Sequence, residues 1–173
     1  MYSKIKIAGH PIHPMLVAFP VVCYVGTLVG FAVYAANGHL FWLNLGIALS
    51  VVGVGGAVLA AIPGLADWAF GIPRDSAAKT TGLLHGGLNV VALGLFAAVL
   101  GSYVSDWNGP AVSATTGLVL SAIGVAVTIP AGFLGWTLVQ DFHIGIRLAP
   151  EQEVAEPAVQ HQQAIPRGRR HAA

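Results

Sequence analysis

The chain has 173 residues, 55% of them hydrophobic and only 9% charged, with seven acidic side chains against eight basic ones and a mean hydropathy of +0.74. A water-soluble domain carries about 25% charged residues, so a soluble enzyme, a disordered chain and a nucleic-acid binder are excluded. Three segments lack Asp, Glu, Lys and Arg altogether: 60 residues between Lys6 and Asp67, 26 between Lys79 and Asp106, and 34 between Asp106 and Asp141. An integral membrane protein with one domain remains.

A spanning helix needs about 20 apolar residues, so the first segment holds two spans and each of the others one. Asn37-Gly38 divides the first segment, giving expected spans over residues 15–36 and 40–66, followed by 80–104 and 111–139. Lys4 and Lys6 before an apolar run are also the opening of a signal peptide, but that run is too long and prolines and histidines interrupt its approach. A retained helix is the expectation. Pro20 and Pro130 fall inside spans, where kinks are expected. Residues 150–173 turn to Glu, Gln, Pro and Arg without apolar periodicity and are expected to form a disordered polar tail.

The fold class that follows is an all-α membrane protein, a four-helix bundle of transmembrane helices in up-down-up-down order over residues 1–149. Lys4, Lys6, Arg74, Lys79, Arg147, Arg167, Arg169 and Arg170 all fall on one side. The positive-inside rule then makes both termini cytoplasmic. Trp42 and Trp107 mark outer helix ends, Trp68 and Trp136 inner ones. Small residues recur every fourth position at Gly26/Gly30, Gly82/Gly86 and Gly53/Ala57/Ala61, spacing that lets helix backbones approach closely in lipid. Ile62-Pro63-Gly64-Leu65-Ala66-Asp67-Trp68 resembles Ile129-Pro130-Ala131-Gly132-Phe133-Leu134-Gly135-Trp136, and each half has a histidine near the start of its first helix. A duplicated hairpin is implied.

Ligand-type side chains are costly inside spans and therefore mark candidate sites. His10 and His13 in Gly9-His10-Pro11-Ile12-His13-Pro14 project from neighbouring helical positions if that turn is helical. His85 lies one turn inside the third span with Asn89 on the same face, Asp67 ends the second span, and Asp141 and His143 end the fourth. In the expected topology all lie at the cytoplasmic end. The first and third spans run in the same direction across the diagonal, so His13 and His85 come to similar depth. One reading is a b-type haem held by His13 and His85, with Gly82, Gly86 and Gly87 leaving room for a flat macrocycle. Another is a metal ion held by His10, His13 and His85 with Asp67 or Asp141, as imidazole and carboxylate suit zinc, iron or manganese. The bland alternative is that these residues cap helix ends and bind nothing. Cys23 is alone, so neither a disulfide nor a cysteine-held cluster is available. No nucleophile–base pair or phosphate-binding loop supports an enzyme class.

Gly9-His10-Pro11-Ile12-His13-Pro14-Met15-Leu16-Val17 with Phe19-Pro20, Phe41-Trp42, Ile62 to Trp68, and His85 with Asn89 together resemble the DUF2231 family (domain of unknown function 2231) of bacterial membrane proteins. The motifs cover residues 9 to 90. The resemblance implies a small multi-span membrane protein without an established activity. Family members often carry an Asp late in the first span, where this chain has Tyr34-Ala35-Ala36-Asn37. Relatives joined to Rieske-type or cytochrome domains imply redox work, with a quinone or a redox protein as electron partner. The functional expectation is a haem- or metal-binding accessory or electron-transfer subunit. The alternative is a structural membrane subunit or a passive path for small solutes.

Overall fold

The computed structural model describes residues 5–146, 149–152 and 154. Five helices account for most of it: α1 (Ile12–Leu16), α2 (Ala18–Asn37), α3 (Leu40–Ala66), α4 (Ala77–Tyr103) and α5 (Thr115–Gln140). With the single turns attached to them they form four helices long and apolar enough to cross a membrane, Ile12–Asn37, Leu40–Gly71, Ala77–Asp106 and Thr115–Gln140. The four expected spans are present, with ends shifted by a few residues. Most of the expected polar tail lies outside the described residues. At its start, residues 150–152 and 154 are helical and the Gln152 side chain accepts from the Ala149 N–H at 2.9 Å.

At the entry to the first span a hairpin stands where a helical turn would have aligned His10 with His13. Lys6–Ile7 (β1) and His10–Pro11 (β2) pair antiparallel around Ala8 and Gly9, both at positive φ, the geometry of a type I′ hairpin. His10 precedes a proline and is thereby held extended, so the helix begins only at Ile12. The break at Val17 between α1 and α2 lies on the N-terminal side of Pro20, whose missing N–H removes a helical bond and whose ring crowds the Leu16 carbonyl. α3 contains Pro63 and ends in a π-helical turn, Asp67–Gly71, whereas α5 runs through Pro130 without interruption.

α2 and α4 each pack against both α3 and α5, and lie diagonally across the bundle from one another. Small residues make the packing possible. At Gly30 an added Cβ would stand 2.9 Å from the Gly46 Cα, so two backbones touch where α2 crosses α3. Ser50 and Ser121 are fully buried, as are Phe31, Phe96, Leu43 and Val99. Large apolar side chains such as Val22, Leu59, Leu65, Val90, Ile129 and Phe133 face outward. In lipid the hydrophobic effect does not reward burying them, and van der Waals contact between close backbones holds helices together instead.

The two halves are copies. Across the diagonal, His13 meets His85, Tyr24 stacks on Phe96 with centroids 3.7 Å apart, and Phe31 contacts Tyr103 at 4.7 Å. Each pair is separated by 72 positions. A residue that touches its own equivalent lies beside a two-fold axis, here running parallel to the helices through the bundle centre. Pro20, Tyr24, Thr27 and Phe31 are buried in α2, and their equivalents Ala92, Phe96, Val99 and Tyr103 in α4. α3 and α5 correspond at 71 positions: Gly46/Gly117, Ser50/Ser121, Gly53/Gly124 and Ala60/Ala131 are identical and buried in both. Ser50 bonds the Ile47 carbonyl, and Ser121 the equivalent Leu118 carbonyl. The Pro-Gly similarity that suggests duplication in the sequence is offset from this register by about one helical turn. It aligns Pro63 with Pro130, whereas the packing aligns Ala60 with Ala131 and Gly64 with Gly135.

The two ends of the bundle are closed differently. At one end the Tyr34 hydroxyl donates to the Val112 carbonyl at 2.9 Å and accepts from the Val112 N–H at 3.0 Å. Tyr103 there bonds the Ser113 carbonyl at 2.7 Å and the Gly117 N–H at 3.0 Å. The histidines occupy the opposite end.

Candidate functional site

His13, on α1, is half-buried, and its Nδ1 donates to the Ala60 carbonyl of α3 at 2.8 Å. His85, on α4, is also half-buried and its Nδ1 donates to the Ala131 carbonyl of α5 at 2.8 Å. The acceptors are equivalent in the duplicated fold, and so are the floors beneath the rings. An added Cβ at Gly64 would lie 2.7 Å from the His13 ring, and one at Gly135 would lie 3.0 Å from the His85 ring. A glycine four residues after the acceptor therefore seats each imidazole against a helix backbone.

Because each acceptor is a carbonyl, each Nδ1 must carry the proton, which leaves Nε2 of the neutral ring with its lone pair available. The ring centroids are 6.2 Å apart with planes at 89°. This two-histidine cluster sits beside the pseudo-two-fold axis, each half of the chain supplying one ring. Asn89 donates to the His85 carbonyl at 2.8 Å, and its amide nitrogen lies 3.4 Å from both ring nitrogens. Added Cβ atoms at Gly86 and Gly87 would meet nothing within 4 Å, while one at Gly82 would meet Trp68.

The other sequence candidates are not gathered in. Among the described residues no group of three or more His, Cys, Asp or Glu side chains is placed to hold a metal ion, so the set His10, His13, His85 and Asp67 is not assembled. His10 is exposed in β2 with its Nδ1 at 3.0 Å from the Ala8 carbonyl, turned aside by the hairpin that replaces the expected helical turn. Asp67 is buried in the π-helical turn after α3. Asp141 is exposed at the end of α5, and His143 is half-buried at positive φ just beyond it.

Two features escape sequence reasoning. Lys79 closes the same end: its Nζ bonds the Trp68 carbonyl and lies over the Trp68 ring, 4.2 Å from its centroid. Trp68 Nε1 donates back to the Lys79 carbonyl at 3.0 Å. No motif spacing signals this clasp. The second is the Tyr24 hydroxyl, buried without a partner among the described residues. Its only sequence signal is that the equivalent position is Phe96.

The fold and this site define a multi-pass helical membrane protein, built as a duplicated hairpin with one histidine from each half at a shared end. The chain belongs to the DUF2231 family, whose model, described as a predicted membrane protein, matches residues 9–148. No curated protein and no solved structure matches it.

Proposed function

We propose that His13 and His85 together hold one metal centre, a b-type haem iron or a bare ion, and that the protein serves as an accessory or electron-transfer subunit of a bacterial inner membrane. The observation that carries this reading is the matched tethering of the two rings. Metal-ligating histidines almost always donate their other ring N–H to a carbonyl, carboxylate or water, which fixes the tautomer, and both rings do so here. The ring centroids stand 6.2 Å apart, close enough for one ion to reach both imidazoles through bonds of about 2 Å. With the cationic loops cytoplasmic, the centre lies near the cytoplasmic face. Bound there, the iron or ion would supply one-electron chemistry or a fixed charge, while the chain supplies two oriented ligands and a close-packed surround.

A passive solute path along the bundle axis has the aromatic pairs against it, because Tyr24 with Phe96 and Phe31 with Tyr103 fill that axis. The test is to purify the full chain from haem- and iron-replete cells, record its visible spectrum and measure bound metals. A Soret band or stoichiometric metal, lost in His85→Ala, is the expected result. Colourless, metal-free protein would overturn the reading.

A further inference from the structure

Resting on the two-histidine centre proposed above, we infer that its occupant is monovalent copper, Cu(I), bound by the two imidazoles alone, and that the accessory role is to hold or hand on that ion. The donor set carries this. The Nδ1 atoms of His13 and His85 are committed to the Ala60 and Ala131 carbonyls at 2.8 Å, which leaves one Nε2 lone pair on each ring. A centre beside a two-fold axis receives its ligands in pairs, and here one pair is present. Among the described residues no third His, Cys, Asp or Glu joins it. Asn89 turns its amide nitrogen toward the His85 ring, and the thioether of Met15, two positions from His13, belongs to an exposed side chain.

Coordination number selects the metal. Zn(II) takes four ligands in a tetrahedron, Mn(II) prefers an octahedron of oxygens, Fe(II) adds carboxylate to imidazole, and Cu(II) prefers a tetragonal set. With two imidazoles, each of these ions would have to keep several waters inside a half-buried site. Cu(I) has a filled d shell and low charge, and two nitrogen donors in line satisfy it. The ring centroids stand 6.2 Å apart with planes at 89°. A linear centre accepts perpendicular rings, because it constrains the two metal–nitrogen bonds and not the twist between them.

Charge points the same way. Two neutral imidazoles leave the charge of the ion uncompensated, and among the described residues no carboxylate is grouped with them. Both rings belong to segments apolar enough to cross a membrane, Ile12–Asn37 and Ala77–Asp106. The Born cost of taking an ion out of water rises with the square of its charge, so a divalent ion costs about four times as much as a monovalent one of equal size. The duplication also limits the donor set. Both halves keep the histidine, its acceptor carbonyl and the glycine beneath the ring, whereas Asn89 beside His85 has Val17 as its equivalent. Only the two imidazoles are common to both sides of the axis.

The test titrates the full chain in detergent with Cu(I), kept reduced under anaerobic conditions, against the chromogenic Cu(I) chelator bicinchoninate. Copper X-ray absorption of the complex, which depends on no variant, then counts the ligands. Expected are one Cu(I) per chain and two nitrogen ligands at about 2 Å, with no third donor. Ag(I) should displace the copper, and excess Zn(II), Mn(II) or Fe(II) should not. His13→Ala and His85→Ala should each lose the bound copper, whereas His10→Ala, at an exposed position in β2, should retain it. A third donor, displacement by a divalent ion, or uptake of haem in preference to copper would overturn the inference and leave the two-histidine centre standing. Copper retained by both histidine variants would place the ion elsewhere and overturn it as well. Protein that takes up neither copper, haem nor any of the divalent ions would overturn both readings together.

Discussion

In the first half of the chain, α3 turns Gly46, Ser50, Gly53, Ala60 and Gly64 toward its partners, and in the second half α5 presents the same residues at the five equivalent positions, Gly117, Ser121, Gly124, Ala131 and Gly135. The helices that carry the axis-facing rings have diverged more. α2 has Pro20, Tyr24 and Thr27 where α4 has Ala92, Phe96 and Val99. The contrast separates two constraints. Where a backbone or a ring must lie against a helix, only a small residue fits and both halves keep it. Where rings meet across the axis, ring size is retained and hydroxyls come and go. The histidines combine both: the residue type is kept, its tether is kept, and so is the glycine beneath it.

The largest effects are expected at the histidines. His13→Ala and His85→Ala should each abolish bound metal or haem to the same extent, because the two ligands are equivalent; metal content and the visible spectrum check this. A large loss in one variant and none in the other would show that the rings do not share a centre.

Next in size are the packed glycines. A Cβ at Gly124 would lie 2.5 Å from the Phe96 ring, and one at Gly53 would lie 3.0 Å from Tyr24. Overpacking of this kind costs about 1–3 kcal/mol. Gly124→Ala should fall at the upper end and Gly53→Ala at the lower, read as unfolding midpoints in detergent. Gly94→Ala, with nothing within 4 Å of the added Cβ, is the control and should be near neutral.

Tyr103→Phe probes the end of the bundle away from the histidines. It leaves the Ser113 carbonyl and the buried Gly117 N–H without their partner and should cost about 1–3 kcal/mol. Tyr24→Phe has the smallest expected effect and the opposite sign. Removing an unpartnered hydroxyl in ligand-free protein should be neutral or stabilising by up to about 1 kcal/mol, and a marked destabilisation would mean that the hydroxyl has a structural role.

Much of this protein is legible in its sequence, for physical reasons that differ by feature. The uncharged segments define four spans, because a hydrocarbon-spanning helix must be predominantly apolar. Asn37-Gly38 marks the first hairpin, with Gly38 at positive φ closing α2. His13 and His85 are legible as a pair because parallel spans place equivalent residues at equal depth. The wider cluster with His10 and Asp67 is not formed, since Pro11 holds His10 extended and a positive-φ hairpin carries it outward. No local rule in the sequence foretells that hairpin across Ala8.

Local sequence establishes the number of spans, their approximate limits and a pair of histidines at similar depth, all consequences of hydropathy and residue chemistry. The register of the duplication, the carbonyls that fix each imidazole and the unpartnered Tyr24 hydroxyl were decided only by the tertiary structure. Each depends on which side chain meets which backbone across residues far apart in the chain. In a bundle whose helices all look uniformly apolar, hydropathy carries no record of the faces they turn toward one another.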